Sequence, residues 1–188
     1  MAIQSKGANW LTDSIFFDND CLSAFLWVRN QNLLVELYPG QIFIPKQVYD
    51  ELSVPGVAHL KAKVDFLLNH KQASIIEIEV GTELYDLYYQ LTVNPDAGHV
   101  IIGKGEAASI VLAKFNDGII ASNNLRDISS YIQEFGLKHV TTGDILIEAF
   151  KKGYITETIG NTVWSAMLSK RRRIGANTFS DYLKSKNL

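Results

Sequence analysis

Cysteine is almost missing from this chain of 188 residues: Cys21 stands alone. That excludes an intramolecular disulfide framework and every zinc site built on a cysteine cluster. The four histidines, at 59, 70, 99 and 139, fall into no HxxxH or HxxE spacing, so they form no helical metal pair. Long apolar runs are missing as well, since none approaches the roughly 20 residues that span a bilayer. The opening segment, MAIQSKGANWLTDS, has no basic stretch followed by an apolar one, so no secretory signal is expected. No internal repeat and no low-complexity tract occurs. The expectation is a soluble, cytoplasmic protein with no membrane role.

What remains is ordinary for a globular fold. At 21.0 kDa, with 47% hydrophobic and 20% charged residues, the chain suits one domain or a domain with a small appendage, and long disorder is excluded. The formal charge of −2 is unevenly spread. Eight Lys and Arg residues in 151–188 face only Glu157 and Asp181, a net of +6, which leaves −8 for residues 1–150.

Short apolar runs alternate with helical patterns. Residues 14–17 (SIFF), 41–44 (QIFI), 74–78 (SIIEI), 118–121 (GIIA) and 138–141 (KHVT) read as strands covered on both faces. Helices are predicted over 22–38 with a break near 30–32, over 46–52 after Pro45, and over 57–69, 83–91 and 105–115. Two more follow: a stripe of Leu125, Ile128, Ile132 and Phe135 ended by Gly136, and a segment over 142–152 closed by Gly153. The alternation predicts right-handed βαβ units, hence a parallel sheet in a three-layer α/β/α sandwich. From about 156 the pattern is helical and then irregular. The domain is therefore drawn at 14–155 and a basic helical appendage at 156–188.

Ligands of open α/β sheets bind beyond the carboxyl ends of the strands, and acids fall there. Asp18 follows SIFF directly, held by a rigid strand, whereas Asp20 reads as the cap of the helix that follows. Glu51 lies on the flank of the helix after the second strand. Glu106 shares a face with Ile110 and Ala113 in a helix's first turn, where the macrodipole favours an ionised carboxylate. Ser122 and Asn123 end the fourth strand, and Asp127 lies one helical turn on; Asn123 as a simple N-cap and Asp127 as a partner of Arg126 is the competing reading. Gly103-Lys104-Gly105 lacks the length and the Lys-Ser/Thr of a P-loop and reads as a turn. Clustered carboxylates raise one another's pKa unless a cation neutralises them. With no Cys and no His spacing the donors are hard oxygens, which select Mg²⁺ or Mn²⁺ and suit phosphoryl chemistry.

The order of these residues resembles the PIN domain family: Asp18 after strand one, Glu51 in PKQVYDEL, Glu106 in GEAASIVLA, and Ser-Asn after strand four. HVTTGDILIEAFKKGYI is similar to the closing segment of one bacterial subgroup. The resemblance implies a five-stranded parallel sheet and a metal-dependent nuclease that cuts single-stranded or structured RNA. It also implies a possible antitoxin partner and a homodimer. Carried over residue by residue, Asp18, Glu51 and Glu106 are the metal-holding, catalytic acids and Asp20 stands where the family usually has Asn or Ser. The place of the family's fourth acid is taken by Asn123, an uncharged oxygen donor to the metal, and Asp127 is the candidate to supply the missing carboxylate.

Lys170, Arg171, Arg172 and Arg173 are the one dense basic feature and the candidate nucleic-acid contact, with Trp164, Phe179 and Tyr182 as candidate base-stacking side chains. A solvated helix end with core aromatics is the alternative. Two other functions stay open. A catalytically weak or inactive PIN-like scaffold would bind RNA or protein. A haloacid-dehalogenase-like phosphatase would use FFDND, with Asp18 as nucleophile and Asp20 as acid.

Overall fold

Ile15–Phe17 form the central strand, β1, and their side chains divide the interior in two. Successive strand residues point to opposite faces. Ile15 and Phe17 join Ile42, Ile44 and Ala121 in one buried cluster, while Phe16 joins Phe43 and Ile120 in the other. The computed structural model describes residues 14–188, so all but the last residue of the opening segment read above for a secretory signal lies outside the described residues.

From β1 the chain runs through α1 (Asn19–Trp27), α2 (Gln31–Leu37), β2 (Ile42–Pro45), α3 (Lys46–Glu51), α4 (Ala58–Asn69) and β3 (Ser74–Ile76). It continues through α5 (Glu83–Thr92), α6 (Lys104–Phe115), β4 (Ile119–Ala121), α7 (Leu125–Phe135), β5 (Lys138–Val140) and α8 (Thr142–Lys151). The five strands pair in the order β3-β2-β1-β4-β5, all parallel, as expected for the sandwich. Leu22, Leu34, Leu60, Val64 and Leu146 carry α1, α2, α4 and α8 onto one face. Leu91, Ile110, Val111, Ile128 and Tyr131 carry α5, α6 and α7 onto the other. Each such side chain, when fully buried, stabilises the fold by about 1.5–3 kcal/mol.

Local signals set the boundaries. Gly136 ends α7 in the left-handed conformation at φ 62, the glycine stop read from the sequence. Thr141 caps α8 by accepting the Asp144 N–H, and Asp144 answers the Thr141 N–H. Pro45 closes β2 and caps α3 instead of entering its first turn. Lys104 and Gly105 belong to the first turn of α6, so the expected turn there is the start of a helix.

Residues beyond 155 form α9 (Glu157–Ser169) and α10 (Phe179–Ser185). Trp164 and Phe179 are both 0% exposed and, with Met167 and Leu183, belong to the same buried cluster as β1 and α8. The boundary expected near 155 therefore separates no second core. A clasp fixes α10 on α8: Asp144 accepts from the Tyr182 hydroxyl at 3.0 Å and pairs with Lys186 at 3.0 Å. Burial pushes the Asp144 carboxyl up, but hydrogen bonds from Thr141, Lys186 and Tyr182 outweigh it and leave the group below its ordinary value. No helix among the described residues is long and apolar enough to cross a membrane.

Gly160 in α9 has no room for a side chain, because a Cβ there would stand 2.3 Å from the Phe179 ring. Phe179 is sealed between Phe150 and Trp164 and cannot retreat. Gly160→Ala is therefore expected to destabilise the chain by about 1–3 kcal/mol despite alanine's better helix propensity. Denaturant unfolding checks this, and an unchanged midpoint would refute it.

Candidate active site

The strand order reverses between β1 and β4: the chain moves outward from β1 to β3, then returns to build β4 and β5 on the other side. Such a reversal opens a crevice at the strands' carboxyl ends. Asp18 leaves β1 there, and its N–H donates to the Ala121 carbonyl of β4 at 3.0 Å. Asp18, with φ −77 and ψ 166, is the N-cap of α1, accepting the Cys21 N–H at 2.9 Å; the role expected of Asp20 falls to the acid two positions before it, and Asp20 lies in the helix's first turn. Its other oxygen accepts from the Ser122 hydroxyl at the end of β4. Only 1% exposed, the Asp18 carboxyl is pushed up to about 7 by burial, against the lowering hydrogen bonds from Cys21 and Ser122.

Glu51 arrives from the last turn of α3. Its Oε2 accepts from Asn19 Nδ2 at 2.9 Å and its Oε1 from the Gly105 N–H of α6 at 3.1 Å. This approach requires glycine, since a Cβ at 105 would stand 2.8 Å from Glu51 Oε1. Glu106, at the third position of α6, accepts from the Gly103 N–H at 3.1 Å and from Asn124 Nδ2 at 2.5 Å. Two carboxylates thus converge on one helix N-terminus, whose positive dipole end offsets their charge. Asp18, Asp20, Glu51 and Glu106 line a single cleft of about 380 Å³.

Asn123 and Asp127 do not join them directly. The Asn123 amide oxygen accepts the Thr142 N–H at 2.9 Å and its nitrogen donates to Thr142 Oγ1 at 2.8 Å, so the side chain ties β4 to the start of α8. Asn124, one residue on, is the amide that faces the acids. Its nitrogen bridges Glu106 to Asp127, at 2.8 Å from Asp127 Oδ2. Asp127 also meets Arg126 at 3.4 Å and lines an adjoining cleft with Asp20, Glu106 and Asn123. Neither Asn124 nor the Ser122–Asp18 bond carries a sequence signal: the first depends on α6 reaching the start of α7, the second on β1 and β4 being neighbours.

The basic residues close around the same place. Arg171, Arg172 and Arg173 line the adjoining cleft, and Arg172 lines the acid cleft too, donating to Ser23 Oγ at 3.2 Å. Burial raises the Asp20 carboxyl, with Arg172 and Arg173 opposing it. Lys170 is exposed, its ammonium 5.9 Å from the Trp27 ring centre. The expected stacking side chains do not reach the cleft. Trp164 and Phe179 are sealed in the core and Tyr182 is engaged with Asp144; the aromatic side chain that lines the cleft is Trp27.

A family model described as a PIN domain matches residues 14–187. The chain belongs to the PIN domain family. No curated protein and no solved structure shows a significant match. PIN domains are generally nucleases and typically use divalent metals, which replaces the phosphatase alternative. In this PIN domain the acid cleft offers carboxylate oxygens and neither Cys nor His, a donor set suited to a hard cation. Among the described residues no three Asp, Glu, His or Cys side chains lie close enough to hold an ion as they stand. A cation would have to draw Glu51 or Glu106 from the N–H and amide groups that hold them.

Two outcomes are expected. In metal-free buffer the folded chain keeps the Asp18 proton up to about pH 7, whereas the unfolded chain releases it near pH 4. The contribution of Asp18 to stability is then full below about pH 4, declines as pH rises toward 7 and is lost above it. Asp18→Asn flattens the decline; a melting-temperature series with EDTA decides, and identical profiles would refute the assignment. Gly105→Ala, by crowding Glu51 and Val48, is expected to destabilise the chain by about 1–3 kcal/mol; denaturant unfolding checks this, and an unchanged midpoint would refute it.

Proposed function

We propose that this PIN domain is a Mg²⁺- or Mn²⁺-dependent ribonuclease that hydrolyses phosphodiester bonds at the cleft between β1, α3 and α6. One observation carries the reading: Asp18, Glu51 and Glu106, drawn from three distant segments, line one cleft, and Asp18 is buried there on two neutral donors, the Cys21 N–H and the Ser122 hydroxyl. A divalent ion held by these acids would neutralise them, acidify a bound water and polarise the phosphate. The chain's own residues do the rest. Ser122 and the α1 N-terminus orient the Asp18 carboxylate, Gly105 and Asn19 orient Glu51, and Asn124 holds Glu106 beside Asp127. Arg171, Arg172 and Arg173 form a cationic rim that attracts a polyanion to an otherwise repelling acidic floor.

A second reading, a scaffold that binds RNA or a protein without cutting, is favoured by the hydrogen bonds that already engage Glu51 and Glu106, with no three acids among the described residues grouped to hold an ion. An antitoxin partner and a homodimer go with the nuclease reading by family likeness alone. Co-purification with the products of neighbouring genes and the mass in solution test them.

The nuclease reading expects manganese to raise the melting temperature and to support cleavage of single-stranded RNA. Glu106→Gln should keep the fold and lose at least about a hundredfold in cleavage rate, corresponding to the several kcal/mol a metal contributes. RNA bound but left intact by the unaltered chain, at every metal concentration, would replace the nuclease with the scaffold.

A further inference from the structure

Helix α1 shows two stripes. Leu22, Phe25 and Leu26 are buried in the core. Asn19, Ser23 and Trp27, spaced i, i+4 and i+8, line the acid cleft instead. At 1.5 Å per residue this stripe runs about 12 Å from the Asn19 that holds Glu51 to the indole. Ser23, midway, anchors Arg172 at 3.2 Å. Trp27 is half-buried, with the His59 ring at 4.7 Å between centres and a 70° tilt; Leu52 and Val57 complete the apolar wall. One groove thus presents carboxylates, then a guanidinium, then an aromatic wall.

We propose that Trp27 forms a nucleobase subsite, taking an unpaired base next to the phosphodiester held at the acids, while Arg172 on Ser23 holds an intervening phosphate. This rests on the nuclease reading for the ligand being a phosphodiester strand. The order of charges selects that occupant. A lone apolar ligand has no use for Arg172, and the rim of Arg171 and Arg173 continues the path of a backbone past the groove. A base–aromatic contact accepts any base and requires it to be unstacked, so the subsite selects single strands over duplex. The residue carries no signal in the basic segment because it lies some 140 positions away, brought there only by the fold.

The test uses the full chain with calcium in place of manganese, and two labelled strands of equal length and charge, an oligouridylate and its abasic counterpart. Fluorescence anisotropy is expected to show the base-bearing strand bound about tenfold more tightly by the unaltered chain. That preference falls to near unity in Trp27→Leu, which keeps apolar volume, and survives in Trp27→Phe. Arg172→Ala weakens both strands alike. Equal binding of the two strands, no binding of either, or a preference that survives Trp27→Leu in a folded chain overturns the proposal. Cleavage with manganese is followed separately: a chain that keeps the base preference but never cuts loses the nuclease reading and keeps this one.

Discussion

A buried carboxylate at the hinge of the sheet is the constraint around which the molecule is arranged. Asp18 joins β1, α1 and β4 through four hydrogen bonds: its N–H to Ala121, its carbonyl from Leu22, one side-chain oxygen from Cys21 and the other from Ser122. Removing an anion from water costs several kcal/mol, and neutral donors recover only part of it. The group must therefore hold a proton or face a cation. Arg172 does not supply the cation, since it acts on Asp20 and is tethered to Ser23. The carboxylates of Asp20 and Glu106, both of which act on Asp18, sharpen that demand.

Glu51 and Glu106 are themselves moderated. Both lean on the first turn of α6, where free N–H groups and the helix dipole offset negative charge. Gly105 lets Glu51 come that close. Asn124 then links Glu106 to Asp127 through a single amide, so the two clefts share one polar chain. Beside this acidic floor the arginines at 171–173 line the adjoining cleft, and Arg172 and Arg173 act against the charge of Asp20.

Much of this was legible in the sequence. β1, β2 and β4 are covered on both faces and appear as short apolar runs. The edge strands β3 and β5, expected to be covered likewise, stay partly exposed because each has a neighbour on one side alone. Asp18 follows β1, and Glu51 and Glu106 lie in the last turn of α3 and the first of α6. What could not be read turns on single residues. Asp18 and Asp20 are both capping types two positions apart, and only the backbone angles at Asp18 select it. Asn123 and Asn124 are the same residue type at adjacent positions, so nothing in their chemistry says which turns to Thr142 and which to Glu106. The aromatics of the basic segment did carry a signal: Gly160, Trp164 and Met167 recur at helical spacing, the mark of a buried stripe. Trp27 lies one position beyond the α1 core stripe, and its place beside the acids depends on where α3 and α4 lie.

The Asp144 clasp bears on how such a protein can be inherited. The loop carrying Arg172 is flanked on one side by Trp164 and on the other by Phe179, both sealed beneath the sheet, and α10 is locked to α8 by Tyr182 and Lys186. The cationic rim is therefore no detachable module: recombination that exchanged it for another specificity would unseat the hydrophobic interior in the same event. Diversification of this surface is confined to point changes at the exposed Arg171 and Arg173, with the scaffold beneath them kept whole.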